Sequence, residues 1–240
     1  MTEFNDLSNR NNLKNWQDLP KGNLKDSQVI IQSEWHVVDK SEQYKALQNI
    51  EKTFQEYSLN HHSTEGQKSY YCFLNNDNEH IVHFSQWRDE DAITHFQDND
   101  PAQRIPEMLA GLQVTRLGKQ IYYPYKTYSQ KKDYIDIRLV VFVKQFFNNK
   151  GEATKWIDLI LDTFKLEGHI KGLIENTFYV NADATELLNM AYWENEDKYQ
   201  KFLNHDNAGT QSSWQQIKNY PSRMASKGII KKHSEFLKLL

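Results

Sequence analysis

The stretch His80–Phe96, HIVHFSQWRDEDAITHF, returns later in the chain as Glu186–Phe202, ELLNMAYWENEDKYQKF. One constant offset carries Trp87 onto Trp193, Phe96 onto Phe202 and Val29 onto Ile135. Each form reads as a β-strand ending in tryptophan, an acidic turn and a helix. Self-similarity at so long a period predicts a duplicated fold, not a short-period solenoid.

The flanking sequence fills in each copy. Val29–Val38 (VIIQSEWHVV) is β-branched and predicts a strand. Ser41 can cap a helix whose apolar face is Tyr44, Leu47, Ile50, Phe54 and Tyr57. Ser69–Leu74 and Ile81–Trp87 predict a hairpin around Asn75–Asn78, whose side chains bond their own backbone and tolerate positive φ. Asp89 can cap a helix bearing Ala92, Ile93 and Phe96, Asp100-Pro101 restarts a helical segment, and Val114–Tyr125 returns as a fourth strand. The second half predicts a strand over Ile135–Val143 and a helical face of Ala153, Trp156, Ile157, Ile160, Leu161 and Phe164. A hairpin of Asn176–Val180 with Leu187–Trp193 follows, then an Asn195-capped helix with Tyr199 and Phe202. Trp214 and Ile217 extend the helical region, and a last strand lies near Lys227–Glu235.

The order βαββαβ, read twice, is ferredoxin-like, so the expected class is α+β with tandem duplicated ferredoxin-like domains. The expected divisions are a polar N-terminal arm over 1–27, a first domain over 28–128 and a second over 133–240, joined by the polar linker Lys126–Asp133. The arm is mobile or lies over the body through Trp16. An antiparallel sheet with helices on one face leaves its other face apolar and uncovered, and an identical sheet is the cheapest partner for it. We therefore expect the two sheets to pair face to face within one chain as a closed barrel with helices outside, leaving a further homodimer open.

Composition excludes several classes. The net charge is −3, and the doublets Lys131-Lys132 and Lys231-Lys232 are too short for a phosphate-binding face, so nucleic acid is not an expected partner. The one cysteine, Cys72, cannot form an intrachain disulfide and fits a reducing compartment. No apolar run approaches membrane-spanning length, so we expect a cytoplasmic protein and no membrane partner. The chain has no HExxH, no cysteine pair and no glycine-rich phosphate loop, and His80 and His83 point to opposite faces of their strand, so no metal site is expected.

Strand parity places His83 with Trp87, and Asn189 with Trp193, on common faces. An indole beside a polar group can stack on an aromatic ligand while the polar group bonds a phenolic oxygen. His83 can act as a base because its intrinsic pKa lies near neutrality, whereas Asn189 can stabilise an oxyanion. Structural readings compete with these. A strand-end tryptophan is more often core than site. Asn189, inside the apolar run LLNMAYW, needs a partner in either case, and its two readings weigh evenly. His95 can bond a backbone carbonyl, Tyr199 can be ordinary core, and Cys72, among aromatics, reads as an inert thiol. His36 and Glu34 share the polar-leaning face of the first strand, where they can line the cavity of His83.

HFSQW at His83–Trp87 and NMAYW at Asn189–Trp193, each followed by its acidic turn, resemble the antibiotic biosynthesis monooxygenase family, a branch of the dimeric α/β-barrel superfamily. The resemblance covers roughly Gln28–Tyr128 and Asp133 to the end. It implies oxidation of an aromatic or quinol-like small molecule by O2 with no metal or flavin. The family pattern has an asparagine four residues before the tryptophan and a tyrosine on the next helix; Asn189, Trp193 and Tyr199 match it. The first copy departs, with His83 and Ile93 at those places. Many relatives carry a histidine on that helix, which His95 matches and His205 matches more loosely. The resemblance thus implies catalytic roles for Asn189, Trp193, Tyr199, His83 and Trp87, and substrate contacts from His95, His36 and His205. Two alternatives go with it: a non-catalytic small-molecule binding or stress-related protein on the same scaffold, and haem binding or degradation with His95 as axial ligand.

Overall fold

The structure is a computed structural model that describes residues 16–20, 27–58, 65–99, 108–130, 137–204 and 212–240. Its strands are β1 (Val29–His36), β2 (Gln67–Asn75), β3 (His80–Trp87), β4 (Thr115–Ser129), β5 (Leu139–Phe146), β6 (Leu173–Val180), β7 (Glu186–Trp193) and β8 (Ile229–Lys238). The helices among the described residues are α1 (Lys40–Ser58), α2 (Glu90–Asn99), α3 (Glu152–Glu167), α4 (Glu196–Asn204) and α5 (Ser212–Lys218). The strands hydrogen-bond in the order β1-β3-β2-β8-β5-β7-β6-β4 and close into an eight-stranded barrel. By contact the chain forms two compact units: the described residues up to Ile121 with His233–Leu240, and Tyr122–Lys232.

In the first unit, β3 lies antiparallel between β1 and β2, and β2 pairs on its far side with the end of β8. Residues opposite one another in such ladders share a face. Ser33 faces His83, which faces Cys72, so Ile31, Ser33, Trp35, Tyr70, Cys72, His83, Ser85 and Trp87 all project to one side. α1 covers part of that side. Its Ala46, Leu47 and Ile50 pack with Trp35, Cys72, Leu74, Ile81, Met108 and Leu237 in one buried cluster. These leucine and isoleucine positions are those the helical periodicity picks out; the side chain of Tyr57 lies outside the described residues. Asp39, and not Ser41, caps α1 by accepting a bond from the Glu42 amide at 3.0 Å. Trp16 stacks edge-on against Phe236 at 5.5 Å, so this part of the N-terminal segment lies on the unit.

The second unit places β7 between β5 and β6, with β6 paired on its far side to Tyr123–Ser129 of β4. α3 and α5 supply Trp156, Ile157, Ile160, Phe164, Trp214 and Ile217 to a buried cluster that includes Leu139, Val141, Phe178, Leu187 and Trp193. Asp89 and Asn195 cap α2 and α4, each accepting from the amide three residues on, at 2.8 and 3.0 Å.

The fourth strand of each half differs from expectation. β4 runs on through Ser129, so Lys126–Ser129 are strand and not linker. Their polarity is compatible with a strand because β6 takes their backbone hydrogen bonds. β8 extends to Lys238, three residues beyond the expected end, where β2 supplies its partner. β5 begins at Leu139. The Asp100-Pro101 helical restart lies outside the described residues.

Two glycines hold the turns that follow the strand-end tryptophans. Gly66 and Gly172 have φ of +90° and +88°, in the left-handed region where glycine is unstrained. Their carbonyls accept the amides of Arg88 and Glu194 at 2.8 and 2.9 Å. Each backbone lies so close to the following helix that a Cβ on Gly66 would fall 2.5 Å from the Ala92 Cβ, and one on Gly172 2.4 Å from the Lys198 Cβ.

Candidate functional site

Each unit has a cavity on the helix-covered side of its sheet. The first, of about 170 Å³, is walled by Trp35, Phe54, Trp87 and Phe96 and lined also by Gln67, Tyr70, His83, Arg116 and Lys119. Strand parity brings His83 and Trp87 to it together, as the sequence predicts. His83 is 6% exposed. Its Nδ1 lies 2.9 Å from the Tyr70 hydroxyl and 3.5 Å from the Cys72 sulfur, and its ring tilts against Trp35 at 4.3 Å. Its Nε2 is buried with no hydrogen-bond partner among the described residues, as is the Gln67 Oε1. Burial, reinforced by the Arg116 charge, lowers the His83 pKa to about 3. The imidazole is therefore neutral at neutral pH. It is a hydrogen-bonding group and a weak base, not the base poised near neutrality that its intrinsic pKa suggests.

The Trp87 indole donates to the Ser85 hydroxyl at 2.8 Å and packs on Phe96 at 5.0 Å. Cys72 is fully buried, and that burial, against a smaller opposing effect of its bond to Tyr70, pushes its thiol up to about 12. A disulfide reagent at neutral pH is accordingly expected to leave the native protein unlabelled and to titrate one thiol per chain in denaturant. Rapid native labelling would show that this side of the sheet opens.

The second cavity, of about 200 Å³, is lined by Val141, Val143, Ile160, Phe164, Phe178, Trp214 and the predicted trio Asn189, Trp193 and Tyr199. Asn189 is buried, and its amide donates to the Asn176 side-chain oxygen and, at 3.2 Å, to the Thr177 carbonyl. Trp193 meets Tyr199 edge-on at 5.3 Å and Phe202 at 5.2 Å. In contrast to Trp87, its Nε1 is buried without a partner among the described residues. Burial, with the Glu196 charge adding, raises Tyr199 to about 12, so its hydroxyl stays protonated. No charged side chain and no histidine is among the residues lining this cavity.

The remaining predicted residues lie elsewhere. His36 projects to the opposite side of the sheet from His83, because the odd-numbered residues of β1 share the face of His83. There its ring meets His80 at 5.0 Å and its Nε2 lies 3.9 Å from Glu79. The same parity takes Glu34 away from the cavity. His95 is on α2 as expected, but exposed and not among the cavity's lining residues. His205 lies outside the described residues. Sequence reasoning missed Gln67, Tyr70, Arg116, Lys119 and Asn176. Tyr70 and Asn176 were within reach of strand alternation, two residues from Cys72 and from Phe178 on their strands; Gln67, Arg116 and Lys119 carry no periodic signal.

No family model and no curated protein matches the chain. Solved structures do. An anthrone oxidase-like protein aligns over 90% of this chain and 94% of its own, with 10% identity and a TM-score of 0.68. A Lactobacillus acidophilus protein named for an expected monooxygenase activity aligns over 88% and 97%, with 10% identity and a TM-score of 0.54. A chlorite dismutase variant from Candidatus Nitrospira defluvii aligns over 87% and 92%, with 8% identity and a TM-score of 0.51. The chain shares their fold. Among the described residues, no helix is long and apolar enough to cross a membrane.

Proposed function

We propose that the chain is a monooxygenase of the antibiotic biosynthesis type, built as two ferredoxin-like copies, and that its second cavity oxidises an aromatic, quinol-like molecule with O2. The carrying observation is that Trp193, whose Nε1 donor is buried without a partner among the described residues, lines an aromatic-walled cavity together with Asn189 and Tyr199. The likeness to an anthrone oxidase-like protein supports the same reading at the level of fold.

With an anthrone the net reaction converts a ring CH2 and O2 into a ring C=O and water; with a hydroquinone a ring C–H and O2 give a hydroxyquinone and water, and in both the substrate supplies all the electrons. For that, the substrate must react as its phenolate or enolate. The Trp193 N–H meets the oxygen on which negative charge develops, and the protonated Tyr199 hydroxyl is a second donor nearby. Asn189 is fixed by Asn176 and Thr177 and holds the floor of the site. With no base in the lining, the proton goes to solvent, so the best substrates are those already acidic near neutral pH.

Oxygen uptake by metal-free protein with a panel of anthrones and hydroquinones tests this. Trp193→Phe keeps an aromatic ring, though a smaller one, and removes the donor, and is expected to lower the rate about 100-fold; Asn189→Ala should lower it too. Full uptake by both variants would rule out this site. No uptake above the uncatalysed rate in wild type would favour a non-catalytic binding protein on the same scaffold.

The chlorite dismutase likeness raises haem, whose axial histidine the family pattern would put at His95. His95 does not fit that place, because it is exposed and absent from the cavity lining.

A further inference from the structure

We infer that the first unit's cavity is a second, chemically different site, which binds an aromatic hydroxycarboxylate through Arg116 and Lys119 at its mouth and Gln67 and His83 in its interior. The inference concerns a different cavity from the proposed oxygenase site and stands whatever that site does.

Four observations carry it. The cavity has aromatic walls, in Trp35, Phe54, Trp87 and Phe96, and a volume of about 170 Å³. A pocket of roughly 150 Å³ admits one benzene ring. Two of its lining residues, His83 and Gln67, carry polar atoms, Nε2 and Oε1, that are buried without a partner among the described residues. Leaving such groups unsatisfied is unfavourable, and a ligand that pairs them recovers the loss. Gln67 Oε1 accepts, so it calls for an O–H donor. The neutral imidazole of His83 can donate or accept at Nε2, according to which tautomer its contacts with Tyr70 and Cys72 favour.

The mouth has the complementary chemistry. Arg116 and Lys119 line the cavity, are exposed, and have no carboxylate in ion-pair reach among the described residues. Residues three apart on a regular strand face opposite sides. Gly118, between them at φ +102°, breaks that alternation and lets both reach one cavity. Arg116 is near enough to His83 for its charge to act on the ring. Two cations outside, an acceptor and an imidazole inside and a ring-sized aromatic slot between them match a carboxylate at one end of an aromatic ring and a hydroxyl on it. The second cavity has none of this charge.

Isothermal titration of the full chain with the three monohydroxybenzoates tests the inference. At least one isomer should bind saturably. Its methyl ester and plain benzoate should each bind about tenfold more weakly, since one lacks the charge and the other the hydroxyl. The double variant Arg116→Ala/Lys119→Ala replaces exposed side chains and should fold. It should lose at least tenfold in affinity, on the scale of lost charge-assisted bonds. The charge-matched control Lys150→Ala/Lys171→Ala, on exposed residues of the second unit, should not. Absence of saturable binding by all three isomers, equal affinity for acid and ester, or equal loss in the two double variants would each overturn the assignment.

Discussion

Gly172→Ala is expected to destabilise the protein by about 3 kcal/mol, whereas Gly151→Ala costs about 1–2 kcal/mol. Both residues have positive φ, +88° and +75°, so any L side chain meets similar backbone strain at either. They differ in what surrounds them. A Cβ on Gly151 meets nothing within 4 Å, but one on Gly172 would sit 2.4 Å from the Cβ and 2.7 Å from the Cγ of Lys198. The near end of a lysine cannot swing aside as its ammonium can, so α4 or the Gly172 backbone must move. That movement pulls on the bond from the Glu194 amide to the Gly172 carbonyl, which fixes the turn just after Trp193. Urea unfolding of the two variants checks this through the midpoint at unchanged slope. Equal losses at the two positions would show that φ strain alone is at work and that α4 is free to yield.

Acid should weaken the fold through His83, and the sign follows from the direction of its shift. In the folded chain its pKa is held near 3, by burial first and by Arg116 second; in the unfolded chain it lies near the ordinary 6.5. Between those values the unfolded state binds the proton and the folded state does not. The stability that the neutral imidazole contributes is therefore complete above about pH 6.5 and lost progressively as the pH falls toward 3, at up to about 1.4 kcal/mol per pH unit. Unfolding free energies at pH 7 and pH 5 bracket a window above the titration of ordinary carboxylates. His83→Gln keeps an amide beside Tyr70 and has no proton to gain, so the variant should show a shallower pH slope than wild type in that window. Parallel slopes would mean that protonated His83 is accommodated in the folded protein.

The hairpins and helix faces were legible because they are local. The aromatic run YYCF, the strand ending at Trp87, the asparagine-rich turn between them, and the three-and-four spacing of Leu47, Ile50 and Phe54 each reflect contacts made within a few residues. The pairing of β4 with β6 and of β8 with β2 was not legible, because nothing in Lys126–Ser129 or Leu237–Lys238 announces a partner about fifty or more than a hundred residues away in the chain. Polar side chains there read as a linker, while the backbone hydrogen bonds that make them strand leave no mark on composition. The candidate sites divide in the same way. Parity placed His83 beside Trp87 and Asn189 beside Trp193, and one more application of it, to the β1–β3 register, takes His36 off the cavity. Arg116 and Lys119 were invisible because their common destination depends on the backbone at Gly118 breaking the strand's alternation.

The membership of β8 has a consequence for how the chain is made. His233–Lys238 pairs with Tyr71–Asn75, and Leu237 packs in the cluster with Trp35, Cys72 and Ile81. A ribosome synthesises the remainder of the first unit long before it reaches these residues. Until they emerge, the exposed edge of β2 has no strand to pair with, and a nascent chain that has already passed through the whole second unit still carries an incomplete first one. The part of the protein that is translated first is in this sense the last to be finished. A premature stop near residue 230 would then leave its damage at the opposite end of the sequence, around the His83 cavity.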